Sequence, residues 1–260
     1  MALSQQQIAN IESVLRNSLR HKFENYKPEP ASMPFHTRLL GRDRMALFSF
    51  IHSLNTNFGT SIFEPVAKEL ASASFQSALS QQVAGTQISS QAHEVIQNIM
   101  DDLTTAKASP DKNKEIEAIR RVAQKGEMRT VKLTKADIKL VSNDNVIYLF
   151  DLKTAKPNVG GFKEFKRTLL EWTAATLAID SKAKIQTLIA IPYNPYEPKP
   201  YSRWTMRGML DLNSELKVAD EFWDFLGGKG AYNQLLDSFE KVGIELRSEI
   251  DEYFTKYSKK

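Results

Sequence analysis

Three residues near the middle of the chain have the types and spacing for chemistry on a phosphodiester. Asp137 is followed, after thirteen residues, by Asp151-Leu152-Lys153. Side chains alternate between the faces of a strand, so Asp151 and Lys153, two apart, project to one side. Between the two acids lies Asn143-Asp144-Asn145, a strong turn signal. Val146-Ile147-Tyr148-Leu149-Phe150, directly before Asp151, is a run of strand-forming residues. The pattern predicts a hairpin over 138–152. If its arms pair symmetrically about the turn, Asp137 falls opposite Asp151, and two carboxylates and an ammonium share one face at a strand end.

Such a face suits a hard divalent cation. Mg²⁺ takes oxygen ligands and is usually held by one or two carboxylates, with phosphate and water completing its shell. Adjacent carboxylates raise each other's pKa, and a cation between them removes that penalty. Lys153 beside the ion would hold or activate a water, or stabilise charge on a phosphate oxygen. Together these parts match metal-assisted phosphodiester hydrolysis. The competing reading is an exposed Asp-x-Lys ion pair on a solvent face, worth little. Three features weigh against it: Asp151 emerges straight from an apolar run, the turn sets the register, and a basic, Gly-containing segment follows.

Composition narrows the class. At 260 residues and 29.5 kDa the chain can bury a core without covalent staples. The absence of Cys excludes disulfides, thiol catalysis and thiolate metal sites. His21, His36, His52 and His93 form no HxxxH or HExxH pair, so a zinc enzyme of the usual kind is not expected. Mean hydropathy is −0.39, and no apolar run approaches the roughly 20 residues that a spanning helix needs. The first residues, Met1 to Gln7, show no basic region leading into an apolar one. The expected compartment is the cytoplasm, with no membrane association. Net charge is only +4, yet Lys153, Lys156, Lys163, Lys166 and Arg167 cluster against a single acid, Glu164. A basic cluster on a near-neutral chain points to an anionic partner; a solvated helix face is the alternative.

The elements that must position these residues are read as one domain, 1–260. Residues 1–125 are mainly helical, at 5–23, 42–54, from Pro65 onward, 92–103 and 114–124. A Pro-rich connection lies at 27–34, a break at Asn57-Phe58-Gly59 and a polar loop at 104–113. Residues 126–192 form the sheet core: alternation at 128–133 and 136–141, the hairpin, a helix over 162–179, and a central strand at 187–191. That helix carries an apolar stripe of Phe162, Phe165, Leu169, Trp172 and Ile179. Residues 193–260 add a Pro- and Tyr-rich loop and helices over 217–226 and 234–253. The order predicts an α/β fold, with a mixed β-sheet flanked by helices and a helical N-terminal layer.

With those parts in place, the sequence resembles the PD-(D/E)XK nuclease core: two acids on paired strands, Asp-x-Lys and a following helix. Ala136 stands where Pro commonly precedes the first acid. The wider text is similar to a group of type II restriction endonucleases associated with GGNCC-like palindromes. That similarity lies in Pro34-Phe35-His36-Thr37-Arg38-Leu39-Leu40, in Asp151 through Asn158, in Phe165 through Trp172 and in Phe222 through Gly228.

The resemblance implies a restriction-endonuclease-like core. Asp137 and Asp151 would be metal ligands, the Leu152 carbonyl a third, and Lys153 the catalytic lysine. A Glu on a helix before the core is common in such enzymes; Glu64 is the matching position and Glu69 the substitute. The alternative for Glu64 is an acid favoured by a helix N-terminus. The implied activity is Mg²⁺-dependent cleavage of double-stranded DNA, leaving 5′-phosphate and 3′-hydroxyl ends. A palindromic site would be matched by a two-fold homodimer, with a cognate methyltransferase as a separate protein. DNA contacts are expected from Lys156, Asn158, Lys163, Lys166 and Arg167, since Arg and Asn read base edges and Lys meets phosphate. Arg203 and Arg207, in a loop with Tyr193, Tyr196, Tyr201 and Trp204, form a second surface, for which a folded aromatic-lined loop is the alternative. His36 and Arg38 could reach DNA, but a structural role is the favoured reading; Phe222, Trp223 and Phe225 are read as core. The rival functions are another nuclease of the superfamily, for repair or nicking, and a non-catalytic DNA-binding protein with this fold. The intact Asp137, Asp151 and Lys153 set disfavours the latter.

Overall fold

A computed structural model describes residues 3–25, 33–153, 161–201 and 208–258, apart from the side chains at 43, 46, 54–57, 254 and 256–258. In chain order, helices α1 (Gln5–Asn25), α2 (Pro34–Leu40) and α3 (Arg42–Phe58) lead through a π-helical turn, Gly59–Phe63, into α4 (Glu64–Ser72). Strands β1 (Ser77–Gln82) and β2 (Gln87–Ser89) follow, then α5 (Ser90–Thr104), α6 (Lys112–Arg120) and β3 (Met128–Thr130). The central unit is β4 (Ala136–Val141), β5 (Val146–Leu152), α7 (Phe162–Ile179) and β6 (Lys184–Ile191). Strand β7 (Leu216–Val218) and helices α8 (Asp220–Gly227), α9 (Ala231–Glu245) and α10 (Arg247–Ser258) complete the described chain.

The main sheet has five strands in the order β1-β4-β5-β6-β7. β1, β4 and β5 pair antiparallel, whereas β5, β6 and β7 run parallel, so the sheet is mixed. The parallel step from β5 to β6 crosses over through α7, as parallel strands require. Alternate residues of β5 and β6 feed two cores. Leu149, Ile185 and Ile189 pack with Leu169 and Trp172 on the α5–α7 face. Phe150, Leu188 and Ala190 pack with Val66, Leu70 and Trp223 on the opposite face. β6 is therefore covered on both sides and reads as a continuous apolar run. The observed α/β architecture is the restriction-endonuclease-like fold that the sequence implies.

Local chemistry explains the flanking elements. Ser89 caps α5 by accepting the Ala92 N–H at 3.1 Å, and Asp111 caps α6 by accepting from Lys114 N–H at 3.1 Å, each satisfying a donor at a helix start. Trp172 and Trp223 are buried, and their indole N–H groups donate to Thr134 O at 2.8 Å and Pro192 O at 2.7 Å. Phe222 is likewise core, and Phe225 packs against it.

Several elements differ from the sequence reading. β1 and β2 lie inside the stretch expected to be helical. β1 is an edge strand, Ser-Ala-Leu-Ser-Gln-Gln, with no buried residue to impose an apolar alternation. The segment from 217 begins as β7, and α8 starts only at Asp220. The expected final helix is two, α9 and α10. Asn57-Phe58-Gly59 does not break the chain's helical course; α3 passes through the π turn into α4. Among the described residues no helix is long and apolar enough to cross a membrane.

Candidate active site

β4 and β5 pair as the turn predicts, with Ile138 opposite Phe150 and Val141 opposite Ile147. One step outward, Asp137 and Asp151 meet across the hairpin. Asp137 Oδ2 accepts the backbone N–H of Leu152 at 2.7 Å, which ties the first acid to the second arm. Asp151 is only 6% exposed, and its Oδ1 lies 2.7 Å from Lys153 Nζ. The Lys153 backbone N–H donates to Ala190 O at 2.9 Å, which carries the β5–β6 pairing one residue past the strand and fixes the lysine's root. Its ammonium sits 4.7 Å from the Phe165 ring centroid, a favourable cation–π placement. That ring lies against Gly161, where a Cβ would come within 2.8 Å of Phe165 Cζ.

Glu64 joins this group through a residue that the sequence did not single out. Gln81 Nε2 donates to Glu64 Oε2 at 2.9 Å and to Asp137 Oδ1 at 3.1 Å. Glu64 is buried, at 4% exposure. Its position follows from Pro65. A proline inside a helical run lacks an N–H and crowds the carbonyl four residues back. Here the helix widens locally: the Glu64 N–H donates to Gly59 O, five residues back. The Ser61 carbonyl, which Pro65 cannot serve, accepts from Ser18 Oγ of α1 at 2.7 Å. Glu64 is thus not at a free helix N-terminus, and the dipole alternative falls. Glu69 instead accepts from Asn10 Nδ2 at 2.7 Å and is held on α1.

The electrostatics are those of too many anions in too little water. Burial pushes Asp151 up from 3.8 to about 6; Lys153 pulls the other way and Asp137 adds to the rise. Burial also raises Glu64, against the hydrogen bond from Gln81 and with the repulsion of Asp137. Three carboxylates face one ammonium. Among the described residues no three acidic or histidine side chains surround a single point. Asp137 and Asp151 are the two carboxylates that could share a divalent ion, with the remaining positions left to other oxygen donors such as water and phosphate, as Mg²⁺ commonly accepts.

The basic residues divide. Lys163 is exposed, and Arg167 is half-buried with Nη2 donating to Gln97 Oε1 at 2.9 Å. Lys166 is a correction. It is fully buried, and its Nζ binds Glu115 Oε2 at 2.5 Å and Glu215 Oε2 at 2.8 Å. Lys112 completes the group, 3.2 Å from Glu215 Oε1 and bonded to Thr187 Oγ1. Two lysines and two glutamates compensate each other inside the protein, so Lys166 cannot meet DNA. Its place was legible, for it is four residues after Phe162 and three before Leu169, on the apolar stripe. His36 and Arg38 are exposed on α2 rather than packed. Lys156, Asn158, Arg203, Trp204 and Arg207 lie outside the described residues.

A nuclease fold with this acid–lysine face is matched by family. The description "Type II restriction endonuclease, HinfI" covers residues 3–243. The chain belongs to this family of type II restriction endonucleases. Among its relatives, HgiEI of Herpetosiphon aurantiacus is 27% identical over 222 residues, 84% of this chain and 79% of that enzyme. HgiBI of the same organism is 25% identical over 246 residues, covering 90% and 88%. MjaII of Methanocaldococcus jannaschii is 24% identical over 272 residues, covering 93% and 72%. All three are type II restriction enzymes. The protein is thus a site-specific DNA endonuclease, and enzymes of this type generally use a divalent metal.

Proposed function

We propose that the protein cuts double-stranded DNA at a short palindromic, GGNCC-like site by Mg²⁺-dependent hydrolysis, with Asp137, Asp151 and Lys153 as the reacting centre. The observation that carries this reading is the hairpin end, where Asp137 is bonded to the Leu152 N–H and Asp151 to Lys153 on one face. Asp137, Asp151 and the Leu152 carbonyl would hold the ion, and Glu64 would stand behind them. The bound ion would supply positive charge to a phosphate oxygen and lower the pKa of a water.

The chain's own groups do the rest. Both oxygens of Asp137 accept one hydrogen bond each, from Leu152 and Gln81, and each keeps a lone pair for a further partner. Lys153 is held by its backbone bond and the Phe165 ring, with its ammonium free to pass from Asp151 to a phosphate oxygen or to orient the attacking water. Lys163 and Arg167 on α7 would contact the duplex, joined by Lys156, Asn158, Arg203 and Arg207, with the lysines on phosphate and Arg and Asn as the candidates for base edges. The GGNCC-like preference rests on the sequence similarity. A palindrome read by one chain on each half implies a two-fold homodimer, one active site for each strand. A separate methyltransferase would protect the host's own sites in the cytoplasm.

A plasmid digest tests this reading. Protein with Mg²⁺ should give discrete fragments, and Asp151→Ala should bind DNA without cutting it. Nicked circles alone would mean a nicking enzyme; shifted but uncut DNA would mean a binding protein. Normal cutting by Asp151→Ala would overturn the site.

A further inference from the structure

Gln81 occupies β1 with a φ of +55°, in the left-handed region that residues with side chains rarely adopt. Its neighbours Ser80 and Gln82 stay in register with Ile138 and Ala136. The strand thus runs on past a residue whose backbone is turned where only glycine is comfortable. That turn aims the side-chain amide between two carboxylates from different elements, Glu64 at the start of α4 and Asp137 at the start of β4. An amide nitrogen has two hydrogens to donate, and here one goes to each acid, at 2.9 and 3.1 Å.

We infer that Gln81 is a positioning residue: it ties Asp137 to the buried Glu64 and so fixes the Asp137 carboxylate for the divalent ion that Asp137 and Asp151 would share. The inference rests on the metal reading proposed above. Neighbouring carboxylates, here the buried Glu64 and the half-buried Asp137, repel each other and, left alone, would turn apart. One nitrogen bonded to both keeps their oxygens no further apart than two hydrogen bonds laid end to end. The amide is neutral, so it satisfies two acceptors without cancelling their charge. A lysine or arginine in its place would satisfy the same oxygens but compete with the incoming cation. A glutamine organises the acids and leaves their attraction for the ion intact. The strained backbone fits this role, since such conformations persist where the surrounding structure over-determines them.

The test uses the full chain without DNA, with Mn²⁺ binding measured by calorimetry and thermal melting followed in a chelator. Gln81→Gly relieves the backbone and removes the amide. It should weaken Mn²⁺ binding by about tenfold or more, the range for groups that orient metal ligands. Glu64→Gln should weaken it similarly, and the double variant should be no worse than the worse single one, because Gln81 and Glu64 act as one tie on Asp137. A Gln81→Gly protein that binds Mn²⁺ within about threefold of wild type would make Gln81 merely structural and overturn the inference, whatever its melting temperature. So would a double variant that loses both effects in full. Asp151→Ala serves as the separate control. If it binds Mn²⁺ like wild type, the metal reading itself fails; if it loses binding while Gln81→Gly does not, only the role of Gln81 fails.

Discussion

Asp151 leaves a buried strand with one cation and one anion for company, and the balance is visible in its proton affinity. Its carboxyl is pushed up from 3.8 to about 6, by burial first. The folded protein therefore holds this proton more tightly than the unfolded chain, and stability present below about pH 4 is lost as pH rises through about 6. In chelator, Asp151→Asn should be more stable than wild type above pH 6, by on the order of 2 kcal/mol, and the gap should close towards pH 4. Thermal melts across that range check it. The three central residues were legible because a strand's period of two and one turn signal suffice to bring them together. The link to Glu64 was not, because it runs through Gln81, whose reach depends on a φ of +55° and on an edge strand with no apolar pattern.

At the scale of elements, α7 makes two lysines one turn apart into different objects. Lys166 lies on the stripe and is locked between Glu115 and Glu215; Lys163 faces water. Lys166→Met should destabilise the protein by roughly 3–5 kcal/mol, since it strands the buried Glu115 and leaves Glu215 with Lys112 as its cation, and urea unfolding measures this. Lys163→Ala should leave stability nearly unchanged, weaken DNA binding and reduce the salt slope of affinity by about one. Helix α1 is clamped to α9 by Glu12, which accepts from Lys241 Nζ at 2.7 Å and Arg16 Nη2 at 3.0 Å. The Lys241 bond, foremost, holds the Glu12 carboxyl below its ordinary 4.5. This contribution is present above pH 4.5 and is lost as pH falls through the lowered value. Glu12→Gln should cost about 1 kcal/mol at pH 7 and nothing in acid, as pH-dependent denaturation curves would show. The hairpin, α7 and β6 were readable because each repeats a clear period or fills a core on its own. β7 was not: three residues, Leu-Lys-Val, become a strand only because β6 offers an open edge.

For the whole molecule, the sheet separates two apolar cores, and its antiparallel half delivers the acids while its parallel half anchors the lysine through Ala190. A two-fold reader of a palindrome predicts two chains for each duplex. Sedimentation with a target duplex should give a complex carrying two copies of the 29.5 kDa chain; a complex carrying one would contradict the dimer. The central claim, that Asp137 and Asp151 hold the ion beside Lys153, is tested most directly by crystals grown with Mn²⁺ and diffracted near the manganese edge. The account predicts an anomalous peak bridging those two carboxylates, close to the Leu152 carbonyl. Manganese bound elsewhere, with Asp137 and Asp151 left without an ion, would contradict it.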